Sequence, residues 1–128
     1  MRSATFLKAG PGQIYADQFV NLHESVRALF AEVAAGQISA EGDLGLLERV
    51  HALQRLAHRL GEEAGRGDLE GFKRTGNSDR MLLLVVQGVA GLDFVFEGLA
   101  GYLDTRERVF LTLASHGDKL LNEVRRAM

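Results

Sequence analysis

The strongest constraint on the fold is the spacing of apolar residues, which recur at intervals of three and four positions along much of the chain. The first such stretch has intervals of 4, 3, 4, 3 and 4: Tyr15, Phe19, Leu22, Val26, Leu29 and Val33. An α-helix turns by about 100° per residue, so this spacing keeps the side chains on one face. Pro11 and Gly12 before the stretch and Gly36 after it are typical helix start and stop signals. The pattern predicts a first helix over residues 13–35.

The same spacing predicts a second helix that begins near Asp43 and ends at Gly61. Aspartate favours the N-cap position, and glycine favours the residue that follows a helix. The apolar positions of this helix are Leu46, Val50, Leu53, Ala57 and Leu60. The connection over 38–42 is short, so we expect the first two helices to be antiparallel neighbours.

The periodic pattern stops between residues 62 and 79. Four glycines interrupt a stretch that is otherwise rich in charged and polar residues: Gly65, Gly67, Gly71 and Gly76. Such a segment has little apolar surface to offset the entropy lost on ordering it. We therefore expect a long, flexible, Gly-rich loop over 62–79.

Two further helices are predicted in the second half of the chain. The third runs from Ser78, as its N-cap, to about Leu103. Its broad apolar face consists of Met81, Leu84, Val85, Val89, Leu92, Val95, Phe96, Leu99 and Leu103. Asp104 and Glu107 have the spacing of a capping box and predict the start of the fourth helix. The predicted inner face of that helix consists of Val109, Phe110, Leu113, Leu120, Leu121 and Val124.

Together these patterns predict an all-α fold: an antiparallel up-and-down four-helix bundle, with one domain over 1–128 and an N-terminal arm over 1–12. The chain has 128 residues and no cysteine, which excludes disulfides and thiolate metal sites. A domain of this length buries enough surface to fold without a metal or a disulfide. Its net charge of -2, with both signs interspersed, gives no electrostatic footprint for nucleic acid.

The segment over 81–103 has the length of a membrane span, but it contains Gln87, Asp93 and Glu97. A carboxylate near the bilayer centre costs about 2.5–3.5 kcal/mol on insertion scales. We therefore expect a core helix in water and no membrane insertion. Residues 1–10 lack the apolar run of a secretory signal, so we expect a cytoplasmic protein.

The sequence shows no set of residues typical of an enzyme, a metal centre or a cofactor site. It contains neither a nucleophile elbow nor a Gly-rich phosphate loop. Glu48 and His51 have the Glu-x-x-His spacing of di-iron bundle proteins, but those proteins use the motif twice, with two further carboxylates. We therefore expect no enzymatic activity, no metal and no cofactor.

The stretch from His51 to Gly61 resembles the phosphoacceptor helix of histidine-phosphotransfer domains. The matching positions are His51, Leu53, Ala57, Leu60 and Gly61. Members of that family are four-helix bundles that carry a phosphoryl group between receiver domains, so the resemblance implies that His51 is the phosphoacceptor. Gln54 stands where the family has a lysine, and Arg55 stands where it has a glycine. The charge and the free space beside His51 therefore depart from the family pattern.

A band of glycines beside the apolar face of the third helix predicts an interface. The band consists of Gly88, Gly91, Gly98 and Gly101. Glycine in a helix interior costs about 1 kcal/mol relative to alanine, so the band requires compensation by the close approach of another backbone. Leu83 and Phe94 extend the apolar surface beside the band, and large exposed apolar patches mark interfaces. We expect a homodimer through the third and fourth helices; the alternative is that the band packs against the first helix of the same chain.

The function expected from the sequence is that of a non-enzymatic cytoplasmic helical interaction protein, acting as an adaptor, a regulator or a chaperone. Its expected partners are a second copy of itself and another protein. The alternative is a histidine-phosphotransfer or pseudo-phosphotransfer signalling module that uses His51.

Overall fold

A computed structural model of the chain describes residues 10–36 and 40–128. Within these ranges the chain forms four helices and no strand, which confirms the prediction of an all-α fold. The helices are α1 (Pro11–Ala34), α2 (Ala40–Thr75), α3 (Arg80–Thr105) and α4 (Arg108–Ala127). Of the arm expected over 1–12, residues 1–9 lie outside the described residues, and α1 begins at Pro11.

Helix α3 is the central element, because it contacts each of the other three helices. Helix α2 runs antiparallel to it, since His58 pairs with Asp93 and the earlier residue Asp43 pairs with the later residue Arg106. Contact between α1 and α4 is sparse compared with the contacts that α3 makes.

The hydrophobic core is formed mainly by the inner faces of α1 and α3. The largest fully buried apolar side chains are Phe19, Val26, Leu29, Val33, Val50, Val85, Leu92, Val95, Phe96, Leu99 and Leu121. Burial of each such side chain contributes about 1.5–3 kcal/mol relative to exposure. The apolar faces predicted for the first and third helices agree with this core; Tyr15, Met81 and Leu84 are half-buried at its edge.

The prediction of a loop over 62–79 is wrong for most of its length. Helix α2 does not end at Gly61 but continues to Thr75, so that only residues 76–79 connect it to α3. The connection is tied back to α2, because the side chain of Asp68 accepts a hydrogen bond of 2.6 Å from the backbone N–H of Asp79.

Part of the face of α2 that contacts α3 is made of small residues, including Gly65, one of the four glycines that suggested a loop. A Cβ placed on Gly61 would lie 3.0 Å from the side chain of Val89, and one placed on Gly65 would lie 3.9 Å from Val86. Ala64, between them, is fully buried. Close packing against the valines of α3 offsets the low helix propensity of these glycines.

The start of α3 also differs from the prediction. Its N-cap is Asp79 rather than Ser78. The carboxylate of Asp79 accepts hydrogen bonds from the backbone N–H groups of Met81, at 2.9 Å, and Leu82, at 3.2 Å. These bonds satisfy two of the donors that a helix leaves unpaired at its N-terminus.

Two other predicted caps are wrong. Helix α2 already begins at Ala40, so Asp43 lies in its first turn and pairs with Arg106 instead. Helix α3 runs through Asp104 to Thr105, and α4 begins at Arg108 after the N-cap residue Glu107, which makes no side-chain cap. Arg106 turns the chain between the two helices with a left-handed conformation, φ 61°.

Candidate functional site

The glycine band on α3 is covered by helices of the same chain. A Cβ on Gly98 would lie 2.5 Å from the carbonyl oxygen of Phe110 and 2.7 Å from the backbone nitrogen of Ala114, both in α4. A Cβ on Gly101 would lie 2.4 Å from the ring of Phe110. The band therefore provides the close backbone approach expected from the sequence, but between α3 and α4 of one chain.

The other two glycines of the band are also buried within the chain. A Cβ on Gly88 would lie 2.4 Å from the ring of Phe19 in α1, and one on Gly91 would lie 3.0 Å from Leu121 in α4. The prediction of a surface open to a partner is therefore wrong for the four glycines of the band: Gly88, Gly91, Gly98 and Gly101. Replacement of Gly98 by leucine would disrupt α3–α4 packing before it affected any association between chains.

The inner face predicted for α4 is wrong at two positions. The buried residues of α4 are Ala114, Gly117 and Leu121, whereas Val109 and Leu120, which we expected on the inner face, are exposed. Alanine and glycine carry a much weaker hydrophobic signal than the large apolar residues, so the periodicity of the large residues did not select Ala114 and Gly117.

Leu83 and Phe94, the other two predicted interface residues, lie on the solvent side of α3. They belong to a surface that we call the outer face, formed by Leu83, Val86, Ala90 and Phe94 of α3 with Leu120 of α4. The exposed fractions of the four large side chains are 42% (Leu83), 36% (Val86), 46% (Phe94) and 48% (Leu120). Gln87, which is also exposed, lies beside Ala90 and Phe94 on this side of α3. Several large apolar side chains exposed on one side of a helix are typical of an interface.

Shallow grooves border the outer face on both sides. The groove between α3 and α4 has a volume of about 370 Å³, and Phe94 and Leu120 lie on its walls. The groove between α2 and α3 has a similar volume, about 370 Å³, and is bordered by Val86, Ala90 and the His58–Asp93 pair. The apolar side chains of the outer face are thus bordered by polar ones on both sides: His58 and Asp93 toward α2, and Gln87 and Glu123 toward α4. A polar rim of this kind is common at protein interfaces.

His51 lies on the surface of α2. Its imidazole is exposed, as is Arg55 one turn later, while Gln54 is half-buried. The concave surface beside His51, about 480 Å³ in volume, is lined by residues of α2. The phosphotransfer resemblance is thus compatible with solvent access to His51, and the role of this residue stays a prediction.

His58, in contrast, is engaged in a contact between helices. Its Nε2 lies 3.0 Å from Oδ1 of Asp93 on α3, and both side chains are partly exposed. Exposed pairs of this kind contribute little to stability, about 0–1 kcal/mol. The position of α2 against α3 therefore depends on the buried contacts of Gly61 and Ala64 rather than on this pair.

The sequence patterns missed a polar network around His23. This side chain is fully buried, although it comes four residues after Phe19 and three before Val26, on the apolar stripe of α1. Its Nε2 lies 2.7 Å from Oδ1 of Asp118 on α4, and its Nδ1 lies 3.3 Å from Nη1 of Arg125. The sequence did contain a signal for this network, because an ionisable residue occupies a core position of the apolar stripe.

The geometry of the network determines the tautomer of His23. Arginine only donates hydrogen bonds, so Nδ1 must accept from Arg125, and Nε2 must carry the proton that is donated to Asp118. Burial lowers the pKa of His23 below its ordinary value of 6.5, and the hydrogen bond and charge of Asp118 oppose this shift. His23 is accordingly a neutral link between α1 and α4 at neutral pH.

The described residues contain no group of three or more histidine, aspartate or glutamate side chains placed to hold a metal ion. Among the described helices, α3 is the one long and apolar enough to cross a membrane by length and composition. Its most apolar window has a mean hydropathy of 1.8 and is 56% buried inside the structure, and the core helix of a soluble protein passes the same test.

No protein-family model matches this chain, and no curated protein or solved structure matches it.

Proposed function

We propose that this protein is a non-enzymatic helical interaction protein of the cytoplasm, built as an antiparallel four-helix bundle, that forms a homodimer through its outer face. The observation that carries this proposal is the set of four large apolar side chains exposed together on α3 and α4. The dimer would act as an adaptor, a regulator or a chaperone for another protein. The glycine band has no part in the interface, because α1 and α4 cover it.

Two features of α3 favour a second copy as the occupant of the outer face. Ala90, at the middle of the face, is small and exposed, so two helices can approach closely there. Arg80 and Glu97, both exposed, lie on opposite sides of Ala90 along the helix. An antiparallel second copy brings Arg80 of one chain toward Glu97 of the other at both ends, which matches opposite charges. Two-fold association is also the commonest arrangement for soluble oligomers.

The test is the molar mass of the purified chain measured by light scattering. We expect twice the chain mass of 14.0 kDa for the wild type and 14.0 kDa for Phe94→Asp, because the carboxylate would be buried without a partner. The matched control is Ile14→Asp. Ile14 is similarly exposed, at 52%, and lies on α1, which packs on a different side of α3 from the outer face.

A wild-type chain that is monomeric at tens of micromolar contradicts the dimer, and so does a dimer that survives Phe94→Asp. Loss of the dimer in Ile14→Asp but not in Phe94→Asp places the interface on α1 instead. A monomer that binds a different protein through Phe94 retains the interaction role but overturns self-association.

The exposure of His51 favours a second candidate function, that of a phosphotransfer module. Incubation with receiver domains charged by acetyl phosphate would then label the chain with acid-labile phosphate, and His51→Gln would abolish the label. His58→Gln is the matched control. It should keep the label, because His58 is already hydrogen-bonded to Asp93 of α3. A wild-type chain that takes up no label removes this candidate.

A further inference from the structure

We propose that Gln87 sets the register in which two copies of the chain pair through the outer face, by hydrogen bonding to Gln87 of the second copy. Gln87 is exposed and lies beside Ala90 and Phe94, toward α4, where Leu120 continues the apolar surface. This inference rests on the proposed homodimer. It adds the residue that favours one arrangement of the two copies over the others.

The order of residues along α3 makes the outer face complementary to an antiparallel copy of itself. Large exposed side chains lie near its two ends, Leu83 at one and Phe94 at the other, and the small residue Ala90 lies between them. A two-fold axis that crosses α3 midway between Leu83 and Phe94 places each of them opposite the other in the second copy. The same axis brings Arg80 level with Glu97 of the second copy, so apolar packing and opposite charges favour one register.

Gln87 lies next to this axis. It is opposite Ala90 of the second copy, whose small side chain leaves room for the longer glutamine side chain. The two copies of Gln87 are then offset by about 4.5 Å along the helices, and helices that pack over small side chains have axes about 8 Å apart. Because the axis is perpendicular to α3, the α4 sides of both copies lie together. Both glutamines are therefore on the same side of the interface, within reach of each other.

The side-chain amide of Gln87 needs a partner once a second copy covers the outer face. It makes no hydrogen bond within the described part of the chain, so water satisfies it in the monomer and is displaced in the dimer. A primary amide both donates and accepts hydrogen bonds. Two glutamines related by a two-fold axis can therefore satisfy each other, with Nε2 of each donating to Oε1 of the other.

Other antiparallel registers lose either the amide pair or the apolar contact. A slip of one helical turn in one direction moves the two amides about 5.4 Å further apart and places Gln87 opposite Phe94. A slip in the other direction keeps the amides close but places Phe94 opposite Arg80 instead of Leu83. A polar side chain that one arrangement satisfies and others leave unpaired is a known device for fixing the register of paired helices.

The first experiment measures the Kd of the dimer by sedimentation equilibrium at neutral pH. Gln87→Glu should raise this Kd about tenfold or more, because two carboxylates that cannot donate hydrogen bonds would face each other beside the axis. Gln18→Glu is the matched control. It makes the same change of charge at an exposed glutamine of α1 that borders the groove between α1 and α2, so the Kd should stay that of the wild type.

The second experiment measures the register itself. The chain has no cysteine, so Asp104→Cys, at an exposed position near the end of α3, accepts a single nitroxide label. Pulsed electron paramagnetic resonance should give about 45 Å between the two labels of the antiparallel dimer, whereas parallel copies would give less than about 20 Å. Adding Gln87→Leu should keep the dimer but broaden the distances, with a second population about 5 Å shorter, because leucine no longer penalises the slipped register.

Three results overturn the role of Gln87 while leaving the dimer in place: a Kd that Gln87→Glu does not change or that Gln18→Glu raises equally, a short distance between the labels, or a Gln87→Leu dimer whose distances are as narrowly distributed as those of the labelled parent. A wild-type chain that is monomeric in the sedimentation experiment overturns the proposed homodimer, and this inference with it.

Discussion

At the scale of single residues, the most consequential side chain is the buried imidazole of His23. Removing a neutral imidazole from water is tolerable only when both of its nitrogens are hydrogen-bonded, and here Asp118 and Arg125 supply the two bonds. The ring also stacks on Phe19, with centroids 6.1 Å apart. A protonated ring would lose the bond that Nδ1 accepts and would place a cation beside Arg125.

This arrangement predicts that the folded state loses stability as the pH falls through the range just below 6.5. Burial lowers the pKa of His23 in the folded chain, so the unfolded chain takes up the proton first. Stability therefore decreases with acidification, and the contribution of His23 is complete only above its ordinary pKa. Urea unfolding from about pH 7.5 to about pH 5.5 measures this slope.

The slope should be reduced in His23→Gln and unchanged in His51→Gln, whose imidazole is exposed. If His23→Gln retains the full slope of the wild type, another group controls the pH dependence and the role assigned to His23 is wrong.

At the scale of helices, glycine has opposite effects in two places. Gly98 of α3 lies directly against the backbone of α4, which cannot move aside. Gly71, near the end of α2, has no atom within 4 Å of a Cβ placed on it. The first glycine is required by the contact between helices, and the second only lowers helix propensity.

Alanine at these two positions should therefore change stability in opposite directions. We expect Gly98→Ala to destabilise the chain by about 1–3 kcal/mol through overpacking. We expect Gly71→Ala to stabilise it by about 0.5–1 kcal/mol through helix propensity. Denaturant midpoints of the two variants and the wild type decide the question, and equal effects of the same sign would show that the α3–α4 contact is looser than described.

The periodicity of large apolar residues was enough to predict α1 and α3, because Phe19, Leu29, Leu92 and Leu99 mark the buried faces directly. It could not predict the second half of α2 or the inner face of α4. Those faces are made of small residues, such as Ala64 and the glycines beside it, whose burial depends on a neighbouring helix rather than on their own hydrophobicity.

The candidate sites were predictable to different degrees for the same reason. Leu83 and Phe94 were identified from the sequence because large apolar residues outside the main stripe of α3 stand out. The network of His23 and Asp118 was not, because it joins residues 95 positions apart, and no local pattern contains that information.

At the scale of the whole molecule, a dimer formed through the outer face makes thermal stability depend on concentration. Association of folded chains shifts the unfolding equilibrium by mass action, so we expect the Tm of the wild type to rise by about 2–3 °C for each tenfold increase in concentration. The Tm of Phe94→Asp should not change with concentration. Calorimetry at several concentrations tests this, and a constant wild-type Tm would contradict self-association.

The central position of α3 has a consequence for the synthesis of the chain. Helix α4 covers Gly98 and Gly101 of α3, the most apolar of the described helices. A product terminated before Arg108 lacks this cover, and aggregation through the uncovered face of α3 is its expected fate. Completion of α4 is therefore the step of synthesis that removes this apolar surface from contact with other chains.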